Sequence, residues 1–165
     1  MCIRDSSWGN ACKTFLDQIL VLQKRALRLI YFAETNDQAI PFFVNAKILP
    51  LQSLYYTPVC SVMYDVNKTT APENILKLFS RISSVHTYNT RALTSEHFCF
   101  KESRLNIKRN AFSRVGVKVW NGIRQILKER QKKTFKRSLK EMLLDILETE
   151  DSYIDVDTII VKMKK

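Results

Sequence analysis

Between positions 13 and 32 the apolar residues Phe15, Ile19, Leu22, Ala26, Leu27 and Ile30 return at steps of three and four. That is the period of one helix face, with Asp17, Lys24, Arg25 and Arg28 mostly elsewhere on the circumference. The pattern predicts a helix that buries this face. Thr35-Asn36-Asp37 then supplies breaker residues. A short helix is expected through Phe42, Phe43 and Val44, with Pro41 tolerated in its first turn, where a missing N–H costs nothing. Pro50 opens a third helix that carries Leu51, Leu54, Tyr55, Val59, Val62, Met63 and Val66 on one stripe. Pro58 falls inside it and predicts a kink or break, because proline removes a donor and crowds the carbonyl four residues back. Thr70 and Pro72 open a further short helix through Ile75, Leu76 and Phe79.

From about Ser83 to Arg109 no helical period is sustained. Phe98-Cys99-Phe100 and Leu105-Asn106-Ile107 alternate in strand fashion, which leaves room for one short hairpin. A connection this long is usually functional or flexible. Helical spacing resumes at Phe112, Val115, Val119, Trp120, Ile123 and Leu127, weakened by Gly116 and Gly122. The strongest helix is Thr134 to Glu148, whose Phe135, Leu139, Met142, Leu143, Ile146 and Leu147 keep the period without a miss. From Asp151 acidic and apolar residues alternate, as in a loose strand or a disordered tail. The fold class is therefore all-α: a small helical domain of about five or six helices with a long irregular connection near 83–109. The domain runs over 7–148, followed by a weakly ordered tail over 149–165.

Composition narrows the function. A chain of 165 residues with 45% apolar content can bury a core. Only three glycines leave little for hairpin turns, phosphate-cradling loops or dinucleotide fingerprints. Cys2, Cys12, Cys60 and Cys99 contain no C-x-x-C pair, so reduced thiols in an intracellular protein, nuclear or cytoplasmic and not secreted, are expected. Cys12 and Cys60 read as small core hydrophobes. No apolar run reaches membrane-spanning length, and no secretory signal pattern is found.

The net charge of +11 is concentrated. Residues 101–140 hold 14 basic and 2 acidic side chains, while residues 1–100 are only mildly basic and 141–165 are acidic. A block of that density attracts a polyanion, and nucleic acid is the reading favoured here. Its cations include Lys101, Arg104, Lys108, Arg109 and Arg114 along the connection and the start of the next helix. Arg124, Lys128, Arg130, Lys132, Lys133, Lys136, Arg137 and Lys140 follow over the last two helices. Phe98, Phe100 and Phe112 interleave with them. Exposed, they could stack on unpaired bases; packed, they are ordinary core, the more frequent fate of apolar residues at helical period. An anionic membrane surface is the competing partner for a basic amphipathic helix, but Glu141, Asp145 and Glu148 would be repelled by it.

Catalytic chemistry has little to stand on. Cys60, His86, His97 and Cys99 lack the paired spacing of a structural zinc site. The carboxylates Glu148, Glu150, Asp151, Asp155 and Asp157 sit in the tail, a poor platform for metal ions. No catalytic residue, metal site or cofactor is expected in this chain.

Met1-Cys2-Ile3-Arg4-Asp5-Ser6 reads as the translation of a transposase adaptor used in sequencing libraries, so residues 1–6 are set aside as a scar and the natural chain is expected to enter by Ser7. Beyond it, Trp8-Gly9 and Leu22-Gln23-Lys24-Arg25-Ala26-Leu27-Arg28-Leu29-Ile30 resemble the segment just after the polymerase core of non-LTR, LINE-type jockey-like retrotransposon reverse transcriptases. Pro41-Phe42-Phe43, Ile48-Leu49-Pro50-Leu51 and Tyr64 continue that resemblance. So do His86-Thr87-Tyr88-Asn89-Thr90-Arg91, Gly116 with Trp120-Asn121, and Thr134-Phe135-Lys136 through Leu143-Leu144. The family often has Leu-Pro shortly after Trp-Asn; here Ile123-Arg124 stands instead, which favours continued helix.

The resemblance implies a parent RNA-directed DNA polymerase whose catalytic aspartates precede residue 7, with the upstream polymerase domain as a partner of this region. What it implies for the chain itself is a non-catalytic appendage gripping template RNA or target DNA. His86, Tyr88, Thr90 and Arg91 then read either as a nucleic-acid contact, with Arg91 on phosphate and Tyr88 stacking, or as a structural latch. Trp120 reads as core, with Asn121 capping or bonding locally. The alternative from another class is a helical protein-interaction module, a domesticated or degenerate remnant whose basic face meets an acidic partner.

Overall fold

The computed structural model describes residues 11, 13–85, 97–100, 102, 104–105 and 111–150. The regular elements among those residues are all helices, with no strand. The order is α1 (Lys13–Ile30), α2 (Ile40–Asn45), α3 (Leu51–Asn67), α4 (Glu73–Leu76), a 3₁₀ turn (Ile82–Ser84), α5 (Phe112–Gly122), α6 (Gln125–Glu129) and α7 (Lys132–Glu150). The fold is all-α, as the apolar periods require.

α3 is the central element, packed by α5, α7 and α1, while α7 also rests on α2. Its Val59, Cys60 and Met63 are fully buried, and Met63 lies where a side chain on Gly116 of α5 would project. Tyr64, Trp120 and Phe135 bring α3, α5 and α7 together, with ring centroids 5.1 to 6.4 Å apart. The Tyr64 hydroxyl donates to the Arg130 carbonyl at 2.8 Å, so the polar end of the buried ring is satisfied. Lys132 at the start of α7 pairs with Asp65 of α3 at 2.6 Å. In α7 the predicted register holds, with Phe135, Leu139, Leu143, Ile146 and Leu147 buried.

Three expectations are corrected. The stripe proposed as the inner face of α1 points largely to solvent: Phe15, Ile19, Leu22, Ala26 and Ile30 are exposed, and Leu20 and Leu27 are the buried pair. The rotation of α1 follows a polar anchor. The Gln23 side-chain amide donates to the Leu49 carbonyl at 3.1 Å and accepts from the Leu51 N–H at 3.0 Å. Of the kink or break expected at Pro58, the break is absent: α3 runs through it from Leu51 to Asn67. The cost of an internal proline, about 3 kcal/mol, is outweighed by burying Tyr55, Tyr56, Val59 and Cys60 on both sides of it. Finally, the helix expected from Ala111 to Leu127 stops at Gly122. Ile123 and Arg124 are extended (ψ 137° and 141°), and burial of Ile123 fixes the corner between α5 and α6.

The scarcity of glycine shows at the helix ends. α1, α2 and α3 each end in the same closure, in which the residue after next donates back across five residues: Ala33 to Arg28, Ile48 to Phe43 and Thr70 to Asp65, at 2.9 to 3.0 Å. That closure needs a left-handed residue, normally glycine. Here Phe32, Lys47 and Thr69 occupy it, at φ 52°, 53° and 55°.

Phe98 forms no hairpin with its own segment among the described residues; it makes a single antiparallel bridge to Arg81. The second half of the anticipated hairpin, Asn106-Ile107, lies outside the described residues.

Candidate nucleic-acid interface

The basic half of α7 is built by its own period. With Phe135 and Leu139 turned into the core, Lys133, Lys136, Arg137 and Lys140 fall on the opposite side at spacings of three, one and three. All four are exposed, and none forms an ion pair among the described residues. Lys132 is different. Its ammonium meets both Asp65 carboxylate oxygens, so it ties α7 to α3.

Around the α5–α6 corner the cations divide. Arg124 is exposed, and Arg130 is exposed with Nη1 donating to Ser138 Oγ at 2.8 Å. Lys128, expected on the basic surface, is instead buried, with its ammonium 5.5 Å from the centre of the Trp120 ring. A ring face stabilises a cation taken out of water, so this lysine serves the core. Arg114 lies over Phe100, its guanidinium carbon 4.8 Å from the ring centre, and its Nη1 is buried without a hydrogen-bond partner among the described residues. Arg104 is exposed. His86, Tyr88, Arg91, Lys101, Lys108 and Arg109 lie outside the described residues.

The interleaved aromatics are mostly structural. Phe98 is buried, and Phe79 meets both Phe98 and Phe112 edge-on at 6.0 and 5.9 Å. Phe112 is half-buried, and Phe100 is the exposed one of the three, under the Arg114 cation.

Asn121 does more than bond locally. Its carbonyl accepts from the Phe98 N–H at 3.1 Å and its amide donates to the Phe98 carbonyl at 2.9 Å, 23 residues away. A side-chain amide presents the same donor and acceptor as a neighbouring strand, and Gln23 does likewise for Leu49 and Leu51. Trp120 is buried as expected. The Trp-Asn pair thus holds the fold on both sides of α5.

Cys60 is fully buried, and burial pushes its thiol up to about 12, far from the thiolate a nucleophile needs. Among the described residues no three His, Cys, Asp or Glu side chains converge to hold a metal ion. No helix of the described residues is long and apolar enough to cross a membrane. No family model, curated protein or solved structure matches this chain.

Proposed function

We propose that this chain is a non-catalytic nucleic-acid-binding region, the post-polymerase part of a non-LTR retrotransposon reverse transcriptase, acting inside the cell on template RNA or target DNA. The observation that carries the binding surface is the solvent face of α7, where Lys133, Lys136, Arg137 and Lys140 stand within two turns and form no ion pair among the described residues. Phosphates spaced along a backbone meet such a row without demanding any base sequence. Arg124 and Arg130 add charge just before it. The retroelement origin is supported by the order of the sequence boxes from Trp8 to Leu144.

The test is fluorescence anisotropy with a single-stranded RNA and a DNA duplex across a salt series. The triple variant Lys133→Glu, Lys136→Glu, Arg137→Glu leaves Lys132–Asp65 intact and touches no core side chain. Each lost phosphate contact removes about 0.7 to 0.9 from the slope of log K against log salt, so a loss of roughly 2 to 3 is expected. An unchanged slope refutes this face as the binding surface, and retained binding to an acidic polypeptide alone would favour the interaction module. An in-frame polymerase domain with paired aspartates upstream in the source transcript is the outcome the retroelement reading requires.

A further inference from the structure

Several features at the start of α5 run against local stability. Arg114, in the first turn of the helix, has a half-buried side chain whose Nη1 is buried with no hydrogen-bond partner among the described residues. Its guanidinium lies over the Phe100 ring instead, 4.8 Å from the ring centre, which compensates that burial in part. Phe100 stays 37% exposed, whereas Phe98, two residues before it, is only 3% exposed. The positive end of α5 is also left unrelieved. Ala111 at the N-cap offers no side-chain acceptor, the first turn holds no acidic residue, and Arg114 adds a cation there. The helical ladder begins with Arg114 and Val115 donating to the Ala111 carbonyl, so the Phe112 and Ser113 N–H groups stand outside it. Breaks of local rules gathered at one place point to binding rather than to packing.

A ligand that answers these features has two parts. A guanidinium without a hydrogen bond, beside the N–H groups of a helix end, suits an anion. A half-exposed ring backed by a cation suits the flat face of a base. We propose that Phe100 and Arg114 seat one unpaired nucleotide, its base stacked on the Phe100 ring and its phosphate at Arg114 and the first turn of α5. The inference rests on the nucleic-acid reading above and narrows it to a single strand, since a base inside a duplex must leave the stack before its face can be used.

The platform is held in place before binding. The Ile82 N–H donates to the His97 carbonyl at 3.0 Å, the Cys99 N–H donates to the Ser80 carbonyl at 2.7 Å, and Asn121 grips both backbone groups of Phe98. A stacking group fixed in advance lowers the ordering cost of binding. The exposed row of α7 presents cations alone, Phe135 being buried, so it meets phosphates of either form; Phe100 supplies the preference for unpaired bases.

Fluorescence anisotropy on the full chain tests this with two labelled DNA strands of about 12 nucleotides, one of mixed sequence and one made of abasic sugar phosphates throughout. The two carry the same phosphates and differ in their bases. The unaltered chain should bind the mixed strand about five- to hundredfold more tightly, the effect of stacking one base. Phe100→Leu should remove that preference with no change in the salt slope, and Phe100→Tyr should keep it. Arg114→Leu should lower the slope by about 0.7, one phosphate contact on a single strand, without lowering the urea unfolding midpoint. An abasic strand bound as tightly as the mixed one by the unaltered chain overturns the proposal. So does a preference that survives Phe100→Leu, or a midpoint that falls in Arg114→Leu with the slope unchanged, the mark of a purely structural pair. Binding of a duplex alone overturns this inference and spares the α7 surface, whereas binding of neither strand nor duplex overturns the nucleic-acid reading itself.

Discussion

Replacing Asn121 probes the joint between α5 and the extended segment at Phe98. In Asn121→Ala both hydrogen bonds are lost, and the Phe98 N–H and carbonyl, beside a ring only 3% exposed, have poor access to replacement water. Two net hydrogen bonds and the desolvation left uncompensated amount to about 2 to 3 kcal/mol. Asn121→Asp sharpens the argument. The introduced carboxylate still accepts from the Phe98 N–H but turns a second oxygen, lacking any proton, toward the Phe98 carbonyl. Protonated, the same group donates there. The folded-state pKa of the introduced carboxyl group is therefore raised above its unfolded value. The variant should match the parent below the unfolded carboxylate range, about pH 4, and lose stability as pH rises through the raised folded value. Urea unfolding followed by circular dichroism, parent against variant at each pH, measures the difference. An Asn121→Ala cost below about 0.5 kcal/mol, or an Asn121→Asp variant as stable as the parent at neutral pH, would refute the clamp.

Three further outcomes follow from the fold. Lys47→Gly and Thr69→Gly relieve left-handed strain that costs an L-residue about 1 to 2 kcal/mol, offset in part by glycine's freer unfolded chain; each should raise the unfolding midpoint, and a fall in both would contradict the strain. Phe135→Ala opens the space between Tyr64 and Trp120 and should cost about 3 to 5 kcal/mol, read by denaturant titration, with a loss under about 1 kcal/mol excluding the aromatic junction as a principal contact. Cys60 should resist a disulfide reagent at neutral pH until the domain opens, since its pKa near 12 and full burial both suppress the thiolate. Labelling of Cys60 faster than global unfolding would disprove that.

The sequence pattern reveals most where one signal acts alone. α7 combines an unbroken apolar period with a polar reverse side, so its register, and with it the exposed row Lys133, Lys136, Arg137 and Lys140, can be read directly. α1 misleads because it carries two apolar stripes. The richer one resembles an inner face, and nothing in periodicity reveals that the Gln23 amide turns the other stripe inward. Lys128 misleads for a related reason: charge arithmetic counts a cation as surface, whereas the Trp120 ring gives it a buried site. Local cost alone argues for a break at Pro58, and the burial of Tyr55 to Cys60 that overrides it is a tertiary effect. The corner at Ile123-Arg124 has no proline to announce it; only the weak helical propensity of Gly122 hints at it. For Asn121 sequence adjacency suggests a local bond, because it cannot show a partner 23 residues back.

The Asn121 clamp also bears on the chemical lifetime of the protein. Asn121 is followed by Gly122, the pairing in which the next backbone nitrogen most readily attacks the side-chain carbonyl and expels ammonia. In the native helix the backbone is held out of the geometry that ring closure needs, and both amide atoms are occupied by Phe98. The unfolded chain has neither protection. Each excursion out of the native state therefore exposes the asparagine to a one-way conversion into aspartate or isoaspartate, products that cannot rebuild the clamp at neutral pH. Ageing of this domain is thus governed by how often it opens, and molecules that have spent longest unfolded are the ones least able to return.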